Sequence, residues 1–388
     1  MNEPTPRPDR LADLERFLAH DPANDPLLGD ICDLALSLGL HDRAEAALLR
    51  ATEADRRAGL EPPERWRARE LKLLFAQDRR DEADALLVAL VDRYGPQPAL
   101  VHDRAWIAFI RGEFARCVEL LEQLDLSGPT PTVTAAPVQA LYVRALHRDD
   151  RADDAVTWAD RVSAAGMLAP VAAAAASLSA IDAARFDSAS RLAQAALAAD
   201  GNLIEALVAR ASLHLATRSP ARAIPLLEHA LTIAGTDGRT WSTLGFARLQ
   251  LEDAEGALAA LERATQFMPE HVGTWIGLGW TRLLLGHLLA ARQAFESAVA
   301  LDRNAAESQG SLAVAMVASG DRAAAYARIE WALRLDAACL SARYARHLLE
   351  GGPTDPASVR RLARELLAGR RSPLGDAAAA DWVPGGSE

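Results

Sequence analysis

Side chains that could do chemistry are spread thinly along this 388-residue sequence. Its nine histidines and three cysteines include no HExxH motif and no close Cys/His pair, the patterns that bind zinc. Cys32, Cys117 and Cys339 are odd in number and far apart, which predicts buried, reduced thiols. The sequence therefore predicts no metal site and no cofactor.

The stretch GTWIGLGW (273–280) brings three glycines together, as a phosphate-binding loop does. Such a loop follows a strand and carries a lysine, and this stretch has neither feature. A G-x-S-x-G nucleophile motif is also missing from the sequence. The carboxylates are numerous, but no pair of them is singled out by its spacing. We therefore expect that the protein is not an enzyme.

Composition favours helices and disfavours several classes of partner. Half of the residues are hydrophobic but only 5% are aromatic, and alanine, leucine, arginine and glutamate dominate. The net charge of −11 and the lack of a long basic cluster argue against nucleic-acid binding. No apolar window is long enough for a membrane span, and the N-terminus does not resemble a secretory signal. We expect a cytoplasmic, bacterial protein.

A 34-residue period organises the elements that would position any site. Trp241 and Trp275 are 34 residues apart and begin the matching segments TWSTLGFARL and TWIGLGWTRL. Further residues recur at this interval: Leu244 and Leu278, Gly245 and Gly279, Ala257 and Ala291, Leu261 and Phe295, Ala264 and Ala298.

These residues resemble the tetratricopeptide repeat (TPR) family, whose pattern is W-x2-L-G-x2-Y, then A-x3-F, an alanine and a proline. Pro269 supplies the proline of the first unit. The departures are Arg248 and Arg282 in the tyrosine places, Leu261 in the first phenylalanine place and Arg303 in the second proline place. The resemblance implies helix–turn–helix units that stack into a superhelix.

Continued in steps of 34, the pattern runs through six units from about residue 136 to 338. Three less regular units begin near Leu28, Arg67 and Val101, with longer joins at 59–64 and 126–137. We predict an all-α, right-handed α-solenoid of about nine TPR units with a lone N-terminal helix and a C-terminal capping helix pair. The predicted parts are an N-terminal block at 9–125, a connection at 126–137, a C-terminal block at 138–338, capping helices at 339–369 and a flexible tail at 370–388.

One stripe of each first helix is the candidate functional surface. Gly279 belongs to the seam between the two helices of its unit, and Trp280 is rotated by about 100° from it. In the resembled family this adjacent stripe lines the concave face. Here it is largely apolar, and we name it the first-helix stripe. Its residues are Phe75, His102, Trp106, Phe109, Phe246, Leu249, Ile276, Trp280, Leu283, Val314 and Val317.

An apolar stripe of this kind predicts a groove for a hydrophobic or amphipathic peptide of another protein. The alternative is that the same residues pack on one another and belong to the core. The lysines and asparagines with which some TPR proteins grip a C-terminal carboxylate are missing, since Lys72 is the sole lysine. We therefore expect a protein–protein interaction scaffold, either an adaptor or a chaperone-like protein. A regulatory subunit of an enzyme complex, such as a glycosyltransferase or secretion assembly, and a self-assembling oligomer remain open.

Overall fold

The computed structural model describes residues 8–57, 59–124 and 135–352, which form twenty α-helices and no β-strand. This result confirms the prediction of an all-α protein. Most of the predicted connection at 126–137, the second capping helix and the tail at 370–388 lie outside the described residues. The chain separates into two compact units, Met1–Ala145 and Leu146–Glu388, and this division falls inside the eighth helix.

The first unit contains a leading helix, three helix pairs and most of the eighth helix. Its elements are α1 (Pro8–His20), α2 (Asp25–Ser37), α3 (His41–Arg57), α4 (Glu64–Ala76), α5 (Arg80–Tyr94), α6 (Pro98–Ile110), α7 (Phe114–Leu121) and α8 (Ala135–Arg148). Helix α2 packs against both α3 and α4, and α6 packs against both α5 and α7.

The second unit begins near the end of α8 and continues the alternation of paired helices. Its elements are α9 (Ala152–Ala164), α10 (Pro170–Asp182), α11 (Phe186–Ala199), α12 (Ile204–Ala216), α13 (Pro220–Ile233), α14 (Gly238–Gln250), α15 (Ala254–Phe267), α16 (Val272–Leu284), α17 (Leu288–Leu301), α18 (Ala306–Ala318), α19 (Arg322–Leu335) and α20 (Leu340–Leu349). Each first helix from α10 to α18 packs against its own second helix and against the next first helix or α20.

The turn inside each pair contains one residue in the left-handed backbone region. In chain order these residues are Gly39, Asp78, Gly112, Asp150, Ala184, Arg218, Glu252, Gly286 and Gly320. From Asp150 onward they recur every 34 residues, which is the period that the side-chain pattern predicts. Glycine adopts this conformation without strain, whereas Ala184 and Arg218 adopt it at a steric cost of about 1 kcal/mol. The repeat is therefore a property of the backbone as well as of the side chains.

Small residues line the seams between the helices. One position of each second helix is fully buried in every pair and holds Ala44, Ala83, Cys117, Ala155, Ala189, Ala223, Ala257, Ala291 or Ala325. Gly279 lies opposite Phe295, and a Cβ atom added to Gly279 would approach Phe295 Cε1 to 2.4 Å. The predicted role of Gly279, to let two helices approach closely, agrees with this geometry. Close approach offsets the low helix propensity of glycine.

The second helices differ in how their first turns are capped. Asp253 accepts a hydrogen bond from the Gly256 amide (2.9 Å), and Asp321 accepts one from the Ala324 amide (3.4 Å). Ser219 occupies the N-cap position of α13, but its side chain caps no amide. Pro220 follows at the first helical position, where the missing N–H group has no intrahelical partner to lose.

Candidate functional site

In the first unit, the first-helix stripe contains an exposed aromatic cluster. Helix α6 places Trp106 and Phe109 one turn apart, and their rings stack with centroids 5.9 Å apart. Phe114, at the start of α7, packs edge-on against Phe109 at 5.4 Å. The Trp106 side chain is 42% exposed. Phe114 thus packs against the buried side of the cluster, and the Trp106 indole is exposed to solvent.

The other two stripe residues of the first unit have more ordinary surroundings. Phe75 is half-buried and packs against the core cluster that includes Leu71, Leu74 and Leu87. The ring nitrogen Nδ1 of His102 lies 3.1 Å from Asp103 Oδ1. Phe75 and His102 are both half-buried, and neither exposes a large apolar side chain.

In the second unit, Trp280 is not a free surface residue. Its indole N–H donates to Ser311 Oγ at 3.0 Å, and its ring packs edge-on against Phe295 at 5.9 Å. Tyr344 of α20 lies 6.3 Å away on another side of the ring. Trp280 therefore contacts residues of three neighbouring helices, α17, α18 and α20.

The remaining stripe residues of the second unit differ in accessibility. Val314 is only 3% exposed and belongs to a buried cluster, so a guest could not contact it directly. Phe246 is 37% exposed and lies over Gly277, where an added Cβ atom would come within 2.8 Å of Phe246 Cζ. The other members are half-buried and pack against core residues: Leu249, Ile276, Leu283 and Val317. The stripe is thus partly open and partly self-packed.

A charged cluster that the sequence pattern did not reveal links distant helices of the second unit. Asp182, the last residue of α10, accepts a hydrogen bond from His147 Nε2 at 2.7 Å. Arg239, at the start of α14, donates to the same carboxylate from Nη1 at 2.9 Å. Asp182 and Arg239 are 57 residues apart in the chain, and no motif marks them as partners.

The cluster changes the protonation properties of its members. Burial alone would raise the pKa of the Asp182 carboxyl, but hydrogen bonds and charges from His147 and Arg239 hold that pKa well below its usual range. Burial and the charge of Arg239 also lower the pKa of His271, the N-cap residue of α16. Asp182 is therefore a carboxylate throughout the physiological range, and we interpret its role as structural.

The three cysteines are free thiols in buried positions. Burial raises the pKa of Cys117 to about 12 and contributes most to the rise of Cys339 to about 12 and of Cys32 to about 11. A nucleophilic cysteine needs a thiolate, which burial suppresses. We predict that native protein at pH 8 does not react with Ellman's reagent, whereas unfolded protein releases one equivalent per cysteine. Rapid release of one equivalent from native protein would contradict this prediction.

Within the part of the chain that the structure describes, no group of three or more His, Cys, Asp or Glu side chains is arranged to hold a metal ion. None of the helices found between residues 8 and 352 is both long enough and apolar enough to cross a bilayer.

No protein-family model matches the chain, and a comparison with curated proteins finds no match either. Solved structures do match. MamA shares 23% identity over 40% of this chain and 92% of its own, with a TM-score of 0.36. YrrB, described as a TPR protein with an unusual peptide-binding site, shares 18% identity over 46% of this chain and 92% of its own, with a TM-score of 0.38.

A third match covers most of the chain. A monomeric mutant of IFIT1, solved with Gppp-AAAA, aligns with 94% of this chain and 89% of its own, at 14% identity and a TM-score of 0.52. At this level of identity the likeness concerns the fold alone. The fold that this match shares with the chain is the one that the 34-residue period predicts.

Proposed function

Since the chain is a protein of the tetratricopeptide-repeat fold, we propose that it is a scaffold that binds an apolar or amphipathic segment of another protein along its first-helix stripe. The observation that carries the proposal is the stacked Trp106–Phe109 pair, because an aromatic side chain exposed on a rigid support is typical of interface hot spots. Phe246 provides a comparable exposed ring in the second unit.

The packing of the stripe supports a more selective set of contacts than the sequence alone suggests. The proposed guest contacts are Trp106, Phe109 and Phe246, whose rings are at least partly exposed and pack against neighbouring residues of the protein. Trp280 donates a hydrogen bond to Ser311 and packs on Phe295, so its proposed role is to stabilise the packing of α16 against α17 and α18. A guest bound to such rings gains mainly apolar burial, so the proposed partner offers leucine-like or aromatic side chains.

The test is capture of partners from a native lysate by full-length protein and by three variants. We expect Trp106→Ala and Phe246→Ala each to reduce the affinity for the captured partner roughly 30-fold, since truncating a hot-spot aromatic costs about 2 kcal/mol. Tyr326→Ala is the matched control, because Tyr326 is an exposed aromatic residue (60%) on α19, a second helix, outside the stripe.

Circular dichroism should show unchanged helix content for all three variants, because each side chain is substantially exposed. Equal capture by Trp106→Ala, Phe246→Ala and the original protein would refute the proposal. An equal loss of partner capture by the Tyr326→Ala control would show that capture depends on non-specific hydrophobic contact instead of on the first-helix stripe.

A further inference from the structure

A cleft between α11, α12 and α13 lies apart from the first-helix stripe. The cleft has a volume of about 680 Å3 and includes Leu197, Arg210, His214 and Arg222 in its lining. Arg210 and His214 are one turn apart on α12, on a different face from the stripe. Pro225 and Leu226 of α13 add apolar surface.

The basic groups of this cleft lack a counter-charge. Arg210 is half-buried, yet neither its guanidinium nor that of Arg222 makes a hydrogen bond or ion pair with any described residue. His214 lies close enough to both arginines that burial and then the charges of Arg210 and Arg222 lower its pKa. Three basic side chains thus face one space.

The equivalent positions of the next two repeats differ in charge from this cleft, because their arginines have carboxylate partners. At the position of His214 they hold Arg248 and Arg282. Arg282 pairs with Glu262 at 3.1 Å, and Arg248 lies 3.8 Å from Glu228. Gln194 occupies the repeat position that holds Glu228 and Glu262 in the next two repeats. The cleft that contains Arg210 and Arg222 therefore lacks the carboxylate found at that position in those repeats.

Arg210 itself replaces an apolar core residue. The same position in the next three repeats holds Leu244, Leu278 and Leu312, each of which is buried. Placing a guanidinium there without a partner carries a desolvation cost that a leucine does not. An anionic ligand would offset that cost, because guanidinium–carboxylate hydrogen bonds are charge-assisted and often bidentate.

A cleft of the first unit provides a further contrast. It lies between α3, α4 and α5, has a volume of about 480 Å3 and also contains arginines. There Arg67 pairs with Glu70 at 2.7 Å and Arg79 pairs with Glu82 at 2.7 Å. The arginines Arg67 and Arg79 are therefore balanced by carboxylates of the same cleft, unlike Arg210 and Arg222.

We propose that the cleft formed by Gln194, Arg210, His214 and Arg222 binds an acidic peptide in which a carboxylate side chain has leucine-like neighbours. The carboxylate pairs with the two guanidiniums. The neighbouring apolar side chains lie against Leu197, Pro225 and Leu226. This site is independent of the stripe, so the two proposals fail or succeed separately.

The test follows the imidazole signal of His214 by NMR in the full chain, assigned with a His214→Gln variant. The probes are N-acetyl-Leu-Glu-Leu amide and its matched Gln counterpart, which differ in one negative charge. We expect the Glu peptide to shift the His214 signal saturably and the Gln peptide to bind roughly tenfold more weakly or not at all, as loss of a charge-assisted pair requires.

Two variants imitate the neighbouring repeats and should therefore fold. Arg210→Leu restores the residue found in the next three repeats, and Gln194→Glu supplies the missing carboxylate. Each should weaken binding of the Glu peptide roughly tenfold. The Trp106→Ala variant, which alters the stripe in the other unit, should leave this binding unchanged.

Several results would overturn the proposal. One is no shift with the Glu peptide, and another is an equal shift with both peptides. Saturation by inorganic phosphate alone, with no response to the peptide, would identify a phosphate site instead. If the peptide bound only after deletion of residues 370–388, the site would belong to the chain's own C-terminal segment.

Discussion

Replacing Gly279 by alanine should lower the free energy of unfolding by about 2 kcal/mol, although alanine favours helix more than glycine. The new Cβ atom would lie 2.4 Å from Cε1 and 2.6 Å from Cδ1 of Phe295. Phe295 is fully buried, so its ring has no space into which to retreat. Denaturant unfolding measured by circular dichroism would give the change. Gly201→Ala is the matched control, since an added Cβ there meets no atom within 4 Å.

A compensating substitution can test whether the steric conflict with Phe295 causes this loss of stability. In two other repeats, alanine occupies the glycine position beside an aliphatic residue: Ala211 with Leu227, and Ala313 with Ile329. The double variant Gly279→Ala with Phe295→Leu should therefore lose less stability than the sum of the two single variants. Additive losses would show that steric conflict with Phe295 is not the cause.

Replacing Asp182 by asparagine should cost about 2 kcal/mol at pH 7, because it leaves Arg239 and His147 without their shared carboxylate. This loss of stability is smaller than the loss expected when one partner of a fully buried ion pair is removed, since the Asp182 side chain is 36% exposed. Chemical unfolding at pH 7 would measure it. Asp187→Asn, on the adjacent α11, is a suitable control, since no described group forms an ion pair with Asp187.

The same variant should show a defined pH dependence. The folded-state pKa of Asp182 is depressed below its unfolded value, so its contribution is fully present above a pH of about 4 and is lost as pH falls further. The stability difference between the original protein and Asp182→Asn should thus shrink as the pH falls below about 4. A difference that grew over that acidic range would contradict the assigned pKa direction.

The sequence predicts the repeated architecture because its signals are local. Small residues recur every 34 residues at the position of Gly279 and at the alanine position of each second helix. Each of them packs against a helix that is close in the sequence. The left-handed turns follow the same interval even where the residue is Ala184 or Arg218 instead of glycine. Local side-chain volume and turn geometry thus suffice to define the helix pairs.

The candidate site is less predictable because it depends on contacts across repeats. A helical wheel places Trp280 beside the seam, but it carries no information about Tyr344, which lies 64 positions later and covers part of the ring. The pairing of Asp182 with Arg239 is likewise invisible, since the two lie in different repeats. Only the structure shows that Arg248 and Arg282 have carboxylate partners whereas Arg210 has none among the described residues.

The helix packing also has a consequence for synthesis of the chain. Among the described helices, the pairs whose backbones pack closely are no more than two positions apart in chain order, and only individual side chains such as Trp280 and Tyr344 reach further. Such a molecule has few long-range contacts to wait for, so each newly made pair can fold on the preceding one while the ribosome is still translating the rest. Premature termination would then yield shorter folded arrays in place of unfolded fragments.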